Sequence, residues 1–512
     1  MTRRIAALLV LGVLAFSPLA VARPGGGETY SRESSSSSER RDYSGRSSSR
    51  DSDGGDAGAA ALAAVIELCI RYPKVALPAL VILVGGFLLL GGMSGGDTDW
   101  ERVKRELHDE PGPAPPARPS LRQIEVVDPE FSSVLFQDFV FRLYSTAHHY
   151  RGLDGKLDEL SPYLSASARR SLAERQPVRQ PVTEVVIGKM NIVRVSVPTP
   201  EDGGDFAAFV KVGVQFEANY SVGSGPGSRR FVVEDWLLRR AASARTRPPS
   251  ADRRFPCPNC GAPWRSDQAA GTQKCAFCGT VVDNGRFDWQ VEDIKVRRET
   301  DHVPGLDADV PEQGTSLPTV LDPQFASDWN ALTEQDPAVT QDAIAARLAF
   351  IYTSLNDAWS RGDLKAGRTV LSDGLADYCQ YWLDAYAARG LRNVLDDMRL
   401  TRHELVKLAR DRHYDALTIR IWGTGKDYVV RSADNNVVRG SRDRTRDYSE
   451  YWTLIRASSR RGAPQPDATC GSCGAPLTVT MSGQCEHCGS HVTAGEFDWV
   501  LSSIEQDEAY RG

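Results

Sequence analysis

The chain has 512 residues, of which 41% are hydrophobic and 25% charged, and it carries a formal net charge of -6. That length allows two to three domains with their own cores, and the composition is ordinary for globular protein. The acidic balance gives no general reason to expect phosphate backbones as partners, which disfavours nucleic-acid binding as the main role.

The first 22 residues read as a signal peptide or first membrane segment. Arg3 and Arg4 precede the apolar run Ile5 to Leu14, and Ala20-Val21-Ala22 offers a small-x-small cleavage site. Residues 23–73 are a Ser/Arg/Gly-rich stretch and a short pre-membrane stretch, and 25–58 hold too few apolar residues to offset the entropy of ordering. Val75 to Met93 contains no charge, and at about 1.5 Å per residue it crosses most of a hydrocarbon core, so 74–93 is expected to be a transmembrane helix. Pro78 and the Gly85-Gly86 and Gly91-Gly92 pairs are tolerable in such a helix. Whether or not the first segment is cleaved, the Ser-rich stretch falls outside and everything beyond Trp100 falls in the cytoplasm. Reduced thiols suit that side. A proline-rich spacer lies in the linker 94–123.

Two similar soluble stretches follow, 124–300 and 320–508, joined by a linker at 301–319. DPEF (Asp128 to Phe131) matches DPQF (Asp322 to Phe325) at their openings. Val140 to Leu172 lines up with Ala349 to Leu383, each reading as an amphipathic helix, a Gly-centred break, and a second and third helix. Trp359, Leu364, Leu371, Leu375 and Trp382 are expected to face the core, with Arg361-Gly362-Asp363 as the break. Strand-like alternation then covers Val182 to Val197 and Phe206 to Tyr220, turning at Asp202-Gly203-Gly204, and in the second stretch Leu405 to Ala409 and Tyr414 to Trp422. Phe231 to Arg240 corresponds to Tyr448 to Arg456, with Trp236 aligned to Trp452. Helices first and antiparallel strands afterwards give an α+β class, helices packed into a curved sheet.

Each stretch closes on paired C-x-x-C motifs. Cys257, Cys260, Cys275 and Cys278 form one set, and Cys470, Cys473, Cys485 and Cys488 the other, within ribbons at 255–283 and 468–493. A C-x-x-C turn aims two sulfurs at one ion, and four thiolates make a closed shell, so the expected cofactor is a structural Zn²⁺ in each ribbon. Each ribbon runs into FDW and an alternating segment (Phe287, Trp289, Val291; Phe497, Trp499, Leu501), which is expected to return to the main sheet as one more strand. Cys69 and Cys379 read as buried thiols. The pair His148-His149 reads as helix-surface histidines, and His487 and His491 as spectators beside a complete cysteine set. The recurring Trp236, Trp289, Trp452 and Trp499 point to core packing. No Gly-rich phosphate loop, G-x-S-x-G elbow or H-E-x-x-H occurs, so no catalytic residues are assigned.

The segment LAFIYTSLNDAWSRGDLKAGRTVLSDGL, the single span, and the closing C-x-x-C-G-A-P…C-x-x-C-G…FDW pattern resemble bacterial Tim44-like domain proteins with zinc ribbons. The resemblance covers roughly 124–300 and 320–508 and is better in the second stretch. It implies two tandem NTF2/cystatin-like cone domains. The mitochondrial namesake is a peripheral inner-membrane tether for a chaperone motor, and only its C-terminal domain resembles this chain. The expectation is a membrane-anchored, non-catalytic scaffold at a bacterial inner (cytoplasmic) membrane. Its soluble domains would bind a protein segment or lipid and serve protein transport or membrane-protein assembly. The alternatives are an enzyme or small-ligand binder using the cone cavity, or nucleic-acid binding through the ribbons and the arginines around 239–254 and 439–446.

Overall fold

The computed structural model describes residues 119–512 except 177, 199–207, 224–228, 249–254, 268–273, 302–313, 465–468, 471, 481–482, 494 and 508–509. The expected signal segment 1–22, the stretch 23–73 with Cys69, the span 74–93 and the turn at 202–204 lie outside the described residues. Among the described residues no helix is long and apolar enough to cross a membrane.

In the first half, a 3-10 turn at Leu121–Val126 leads to α1 (Ser133–Arg151), a 3-10 turn at Lys156–Leu160 and α2 (Ala166–Ala173). Ser132 and Ser165 begin the two α-helices by accepting hydrogen bonds from the backbone N–H groups of Leu135 and Ala168. The predicted Gly break after α1 has a steric cause. A Cβ on Gly152 would stand 2.2 Å from the carbonyl oxygen of Gln180, so no larger residue fits.

Four strands follow: β1 (Val182–Ser196), β2 (Phe209–Val222), β3 (Arg229–Ala241) and, after the ribbon, β6 (Gln290–Thr300). Two short ribbon strands, β4 (Ser266–Asp267) and β5 (Lys274–Cys275), lie between β3 and β6. The main sheet is antiparallel in the order β1-β2-β3-β6, with Trp236 paired to Val214 and to Ile294. Its core joins Val140, Leu143 and Leu172 of the helices to Val212, Val214, Trp236 and Trp289.

The second half has one more helix at its start. α3 (Phe325–Gln335) and α4 (Gln341–Arg361) are followed by a 3-10 turn at Leu364–Val370 and α5 (Asp373–Ala387). The strands are β7 (Leu391–Arg410), β8 (Tyr414–Arg431), β9 (Val437–Gly440), β10 (Arg446–Ala457) and β11 (Val500–Gln506). Their order is β11-β10-β8-β7, with β9 added beside β8. β7 and β8 run well beyond the segments that alternation marks. Trp359, Leu364, Leu371, Leu375 and Trp382 are all buried, as their periodicity predicts.

The strand after each ribbon does return to the sheet: β6 pairs with β3 and β11 with β10. It begins one residue past each FDW, and the FDW residues divide between two cores. Phe287 and Phe497 pack in the ribbon clusters, whereas Trp289 and Trp499 belong to the main cores.

The opening alignment needs a correction. Asp128 accepts a hydrogen bond from Arg240 at 2.7 Å and precedes the cap Ser132 of α1. The aspartate that does this in the second half is Asp336, 3.0 Å from Arg456 and just before the cap Thr340 of α4. Asp322, the aspartate of DPQF, instead accepts from the N–H of Gln324 at the start of the extra helix α3. The match of DPEF to DPQF is therefore one helix out of register.

The two halves touch along specific contacts. Arg122 pairs with Asp328 at 3.0 Å, donates to the carbonyl of Leu408 at 3.1 Å and also contacts Gln324. Arg412 pairs with Glu130, and Arg229 lies over the ring of Tyr381.

Candidate functional site

Each predicted cysteine set comes together. The sulfurs of Cys257, Cys260, Cys275 and Cys278 lie within 4.8 Å of one another, and so do those of Cys470, Cys473, Cys485 and Cys488. Measured S···S separations are 3.9 Å (257 to 278), 3.9 Å (260 to 275) and 3.7 Å (470 to 488). Four sulfurs at about 2.3 Å from a tetrahedral ion stand about 3.8 Å apart, so the spacing fits a metal without rearrangement.

The local backbone explains the fit. All four C-x-x-C-G turns close alike, the glycine N–H donating to the carbonyl of the first cysteine: Gly261 to Cys257 at 2.9 Å, Gly279 to Cys275 at 2.8 Å, Gly474 to Cys470 at 2.7 Å and Gly489 to Cys485 at 2.8 Å. These glycines have φ of 75°, 67°, 71° and 73°, the left-handed region that other residues rarely enter. In each set the first and third cysteines are buried and the second is exposed. A metal ion held by four such sulfurs would close the ribbon's small core and keep no open position for a substrate.

The ribbons dock differently. The first leans on aromatic contacts: Phe255 meets Phe139 and Tyr163, and the Tyr163 hydroxyl donates to the carbonyl of Pro256 at 2.6 Å. The second is fixed by Asp373, which contacts Arg368, accepts from Thr493 at 2.8 Å and faces Nε2 of His491 at 3.1 Å. His491 thus holds the ribbon to the helices, while His487 is exposed.

The histidine pair is where sequence reasoning missed a feature. His149 is exposed as expected, but His148 is fully buried. Its Nε2 stands 2.8 Å from Oε1 of Glu234, a carboxylate also fully buried. Tyr144 donates to the same oxygen at 2.5 Å, and Arg175 donates to Oε2 at 2.7 Å. Burial works against ionising Glu234, yet the interactions with His148 and Arg175 outweigh it and hold the carboxyl well below its usual range. Burial is also the main influence on His148, which is pushed down to about 4 and so stays neutral near pH 7. The signal that could have found this site is Glu234 itself, an acidic residue on an inward-facing position of FVVEDWLLRR.

The second half does not repeat the cluster. Tyr352 occupies the place of Tyr144 but shares a hydrogen bond of 2.7 Å with the Tyr448 hydroxyl. Asn356 stands where His148 does, and Glu450 is capped by the indole of Trp452 at 2.9 Å.

Other expected features fall as follows. Cys379 is buried in α5, and burial pushes its thiol up to about 12. Trp236, Trp289, Trp452 and Trp499 are all in the cores. Of the arginines before the first ribbon, Arg239 pairs with Glu292, Arg240 with Asp128, and Arg245 donates to the carbonyl of Val127.

A family model for the Tim44-like domain matches residues 326–466, from α3 through β10 and up to the start of the second ribbon. No curated protein matches the chain.

Proposed function

We propose that this chain is a membrane-anchored, non-catalytic adaptor built from two tandem Tim44-like units, each closed by a structural Zn²⁺ ribbon. The observation that carries this reading is the Tim44-like match over 326–466. Tim44-like domains are associated with protein transport at membranes and engage protein or lipid partners. The first half supports the tandem reading because its sheet has the same strand order, with the last strand following a ribbon in each case. It also repeats the pairing of a buried strand arginine with the aspartate before the first long helix. The uncharged run 75–93 supplies the anchor, and the reduced cysteine sets suit a cytoplasmic face. Closed shells of four cysteines hold a fold together and leave no position for a substrate.

The function would be to present two helix-on-sheet units near a bacterial inner membrane, where they hold a protein segment or lipid. Affinity purification of the tagged full-length protein from membranes tests this. A translocation or assembly partner, or a bound lipid, should be recovered with wild type and lost with Cys→Ser ribbon variants. Recovery of the chain in the soluble fraction, or from membranes with nothing enriched above background, would overturn the proposal.

A further inference from the structure

The second ribbon meets the helices at a buried carboxylate. Asp373 stands in the first turn of α5 and contacts Arg368, while Thr493 donates to its Oδ1 at 2.8 Å and Nε2 of His491 lies 3.1 Å from its Oδ2. Arg368 and Thr493 are each 1% exposed. The ribbon's own backbone closes the group, since a Cβ on Gly483 would stand 2.2 Å from Oγ1 of Thr493 and 2.7 Å from Oδ1 of Asp373. His491 and Thr493 follow Cys488 by three and five residues. The N–H of Cys485 donates to the carbonyl of Ser490 at 2.8 Å, and the N–H of Val492 to that of Gly483 at 2.8 Å. The turn between the last two cysteines therefore decides where both side chains fall.

The first half joins its ribbon without this group. Counting from the caps Ser165 and Ser372, Ala166 stands at the position of Asp373 and Ser161 at that of Arg368. Counting from the last cysteines, Val281 stands at the position of His491. What the halves share is a backbone link from each cap to the strand after the ribbon: Ser165 N–H to Val291 at 2.9 Å, and Ser372 N–H to Leu501 at 2.8 Å. The charged joint is an addition of the second half.

The same end of α5 faces the first half. A Cβ on Gly374, the residue after Asp373, would lie 3.7 Å from the Phe141 ring of α1. Two turns further on, Arg229 of β3 lies over the Tyr381 ring at 5.3 Å. α5 packs against β1, and Val186 of β1 is buried in the core of the second half. Ribbon and first half thus bear on adjacent residues of one helix start. Hydrogen bonds to a buried carboxylate are strong and directional, so a displaced ribbon is felt at Asp373.

We propose that the second ribbon is a metal-dependent brace on the junction between the halves. With its four cysteines holding an ion, His491 and Thr493 fix Asp373, and with it the end of α5 that meets Phe141, β1 and Arg229. This rests on reading the cysteine sets as metal sites. The first ribbon, docked by aromatic contacts on Phe139 and Tyr163, does not brace α5.

Hydrogen–deuterium exchange of the purified full-length protein, with elemental analysis of each sample, is the test. In Cys473→Ser, with one zinc in place of two, amides of α5 and of the first-half strands β1 and β3 should exchange about tenfold faster. Cys260→Ser should leave α5 at the wild-type rate. His491→Val combined with Thr493→Val cuts the joint while sparing the cysteines and the contact of Arg368 with Asp373. That double variant should keep both ions and still show the faster exchange, and it decides the matter if Cys473→Ser unfolds the second half outright. Wild-type rates in the double variant, or α5 quickened equally by Cys260→Ser, would overturn the brace while leaving the metal sites intact. Wild-type protein without metal would overturn the metal reading, and the brace with it.

Discussion

Arg456 lies over the indole of Trp499, its guanidinium carbon 4.8 Å from the ring centroid. In the first half Arg240 lies over Trp289 in the same way at 4.7 Å. Each arginine comes from the strand that precedes a ribbon and each tryptophan from the FDW that follows it, so the contact closes the sheet across the inserted ribbon.

The aspartates opposite these arginines should be among the least replaceable residues in the chain. Arg240 is 1% exposed, and Asp128 is its one carboxylate partner among the described residues. Asp128→Ala would strand a buried cation and is expected to cost on the order of 3 kcal/mol. Asp322→Ala, at the aspartate that sequence comparison alone pairs with Asp128, should cost about 1 kcal/mol or less, since only a turn N–H is lost. Urea denaturation of the two variants separates the structural register from the sequence match. Equal losses would contradict it.

Metal content should follow the cysteine sets one by one. Purified wild-type protein is expected to carry two zinc ions per chain, and Cys260→Ser or Cys473→Ser should each lose one equivalent by elemental analysis. Retention of both ions in either variant would mean that the exposed second cysteine is not a ligand.

Acid should weaken the first half before the second. Folding lowers the pKa of His148 from 6.5 to about 4, so between those values the unfolded chain binds more protons and stability falls as pH drops. Glu234, whose pKa is also lowered on folding, loses its contribution at still lower pH, in the same direction. Going from pH 7 to pH 5, the His148 contribution amounts to roughly 2 kcal/mol. His148→Asn, the residue type found at position 356, should flatten that slope in denaturation curves. An unchanged slope would show that His148 does not titrate as described.

Gly152→Ala places a methyl group 2.2 Å from the Gln180 carbonyl oxygen, a backbone atom that cannot swing away. The expected loss is about 2 kcal/mol, whereas Gly155→Ala meets no neighbouring atom and should cost less, through its φ of 70° alone. Thermal melts of both variants check the order.

The features legible in the sequence are those written in short, local codes. The C-x-x-C-G turns, the helix periodicity behind Trp359 and Leu371, and the alternation of β2 and β3 each depend on residues close together in the chain. What escapes is set at long range. The pairing of His148 with Glu234 joins positions 86 residues apart, and on its own helix a buried histidine looks like an exposed one. The misplaced DPQF match fails for the same reason, because only Arg456, far downstream, selects Asp336 over Asp322. The ends of β7 and β8 are underestimated because both strands continue through polar residues whose pairing, not their hydropathy, keeps them extended.

The order in which these sheets are completed has a consequence for synthesis. β6 and β11 are outer strands, yet neither leaves the ribosome until an entire cysteine ribbon has emerged ahead of it. Until the ribbon folds, the gap from Ala241 to Gln290 is one long unclosed loop, and closing it carries the full entropy of that chain. If the ribbons fold only around a metal ion, a cell short of it would accumulate nascent protein with open-edged sheets, three-stranded in the first half and four-stranded in the second, and metal supply would set a checkpoint on whether each half can finish folding.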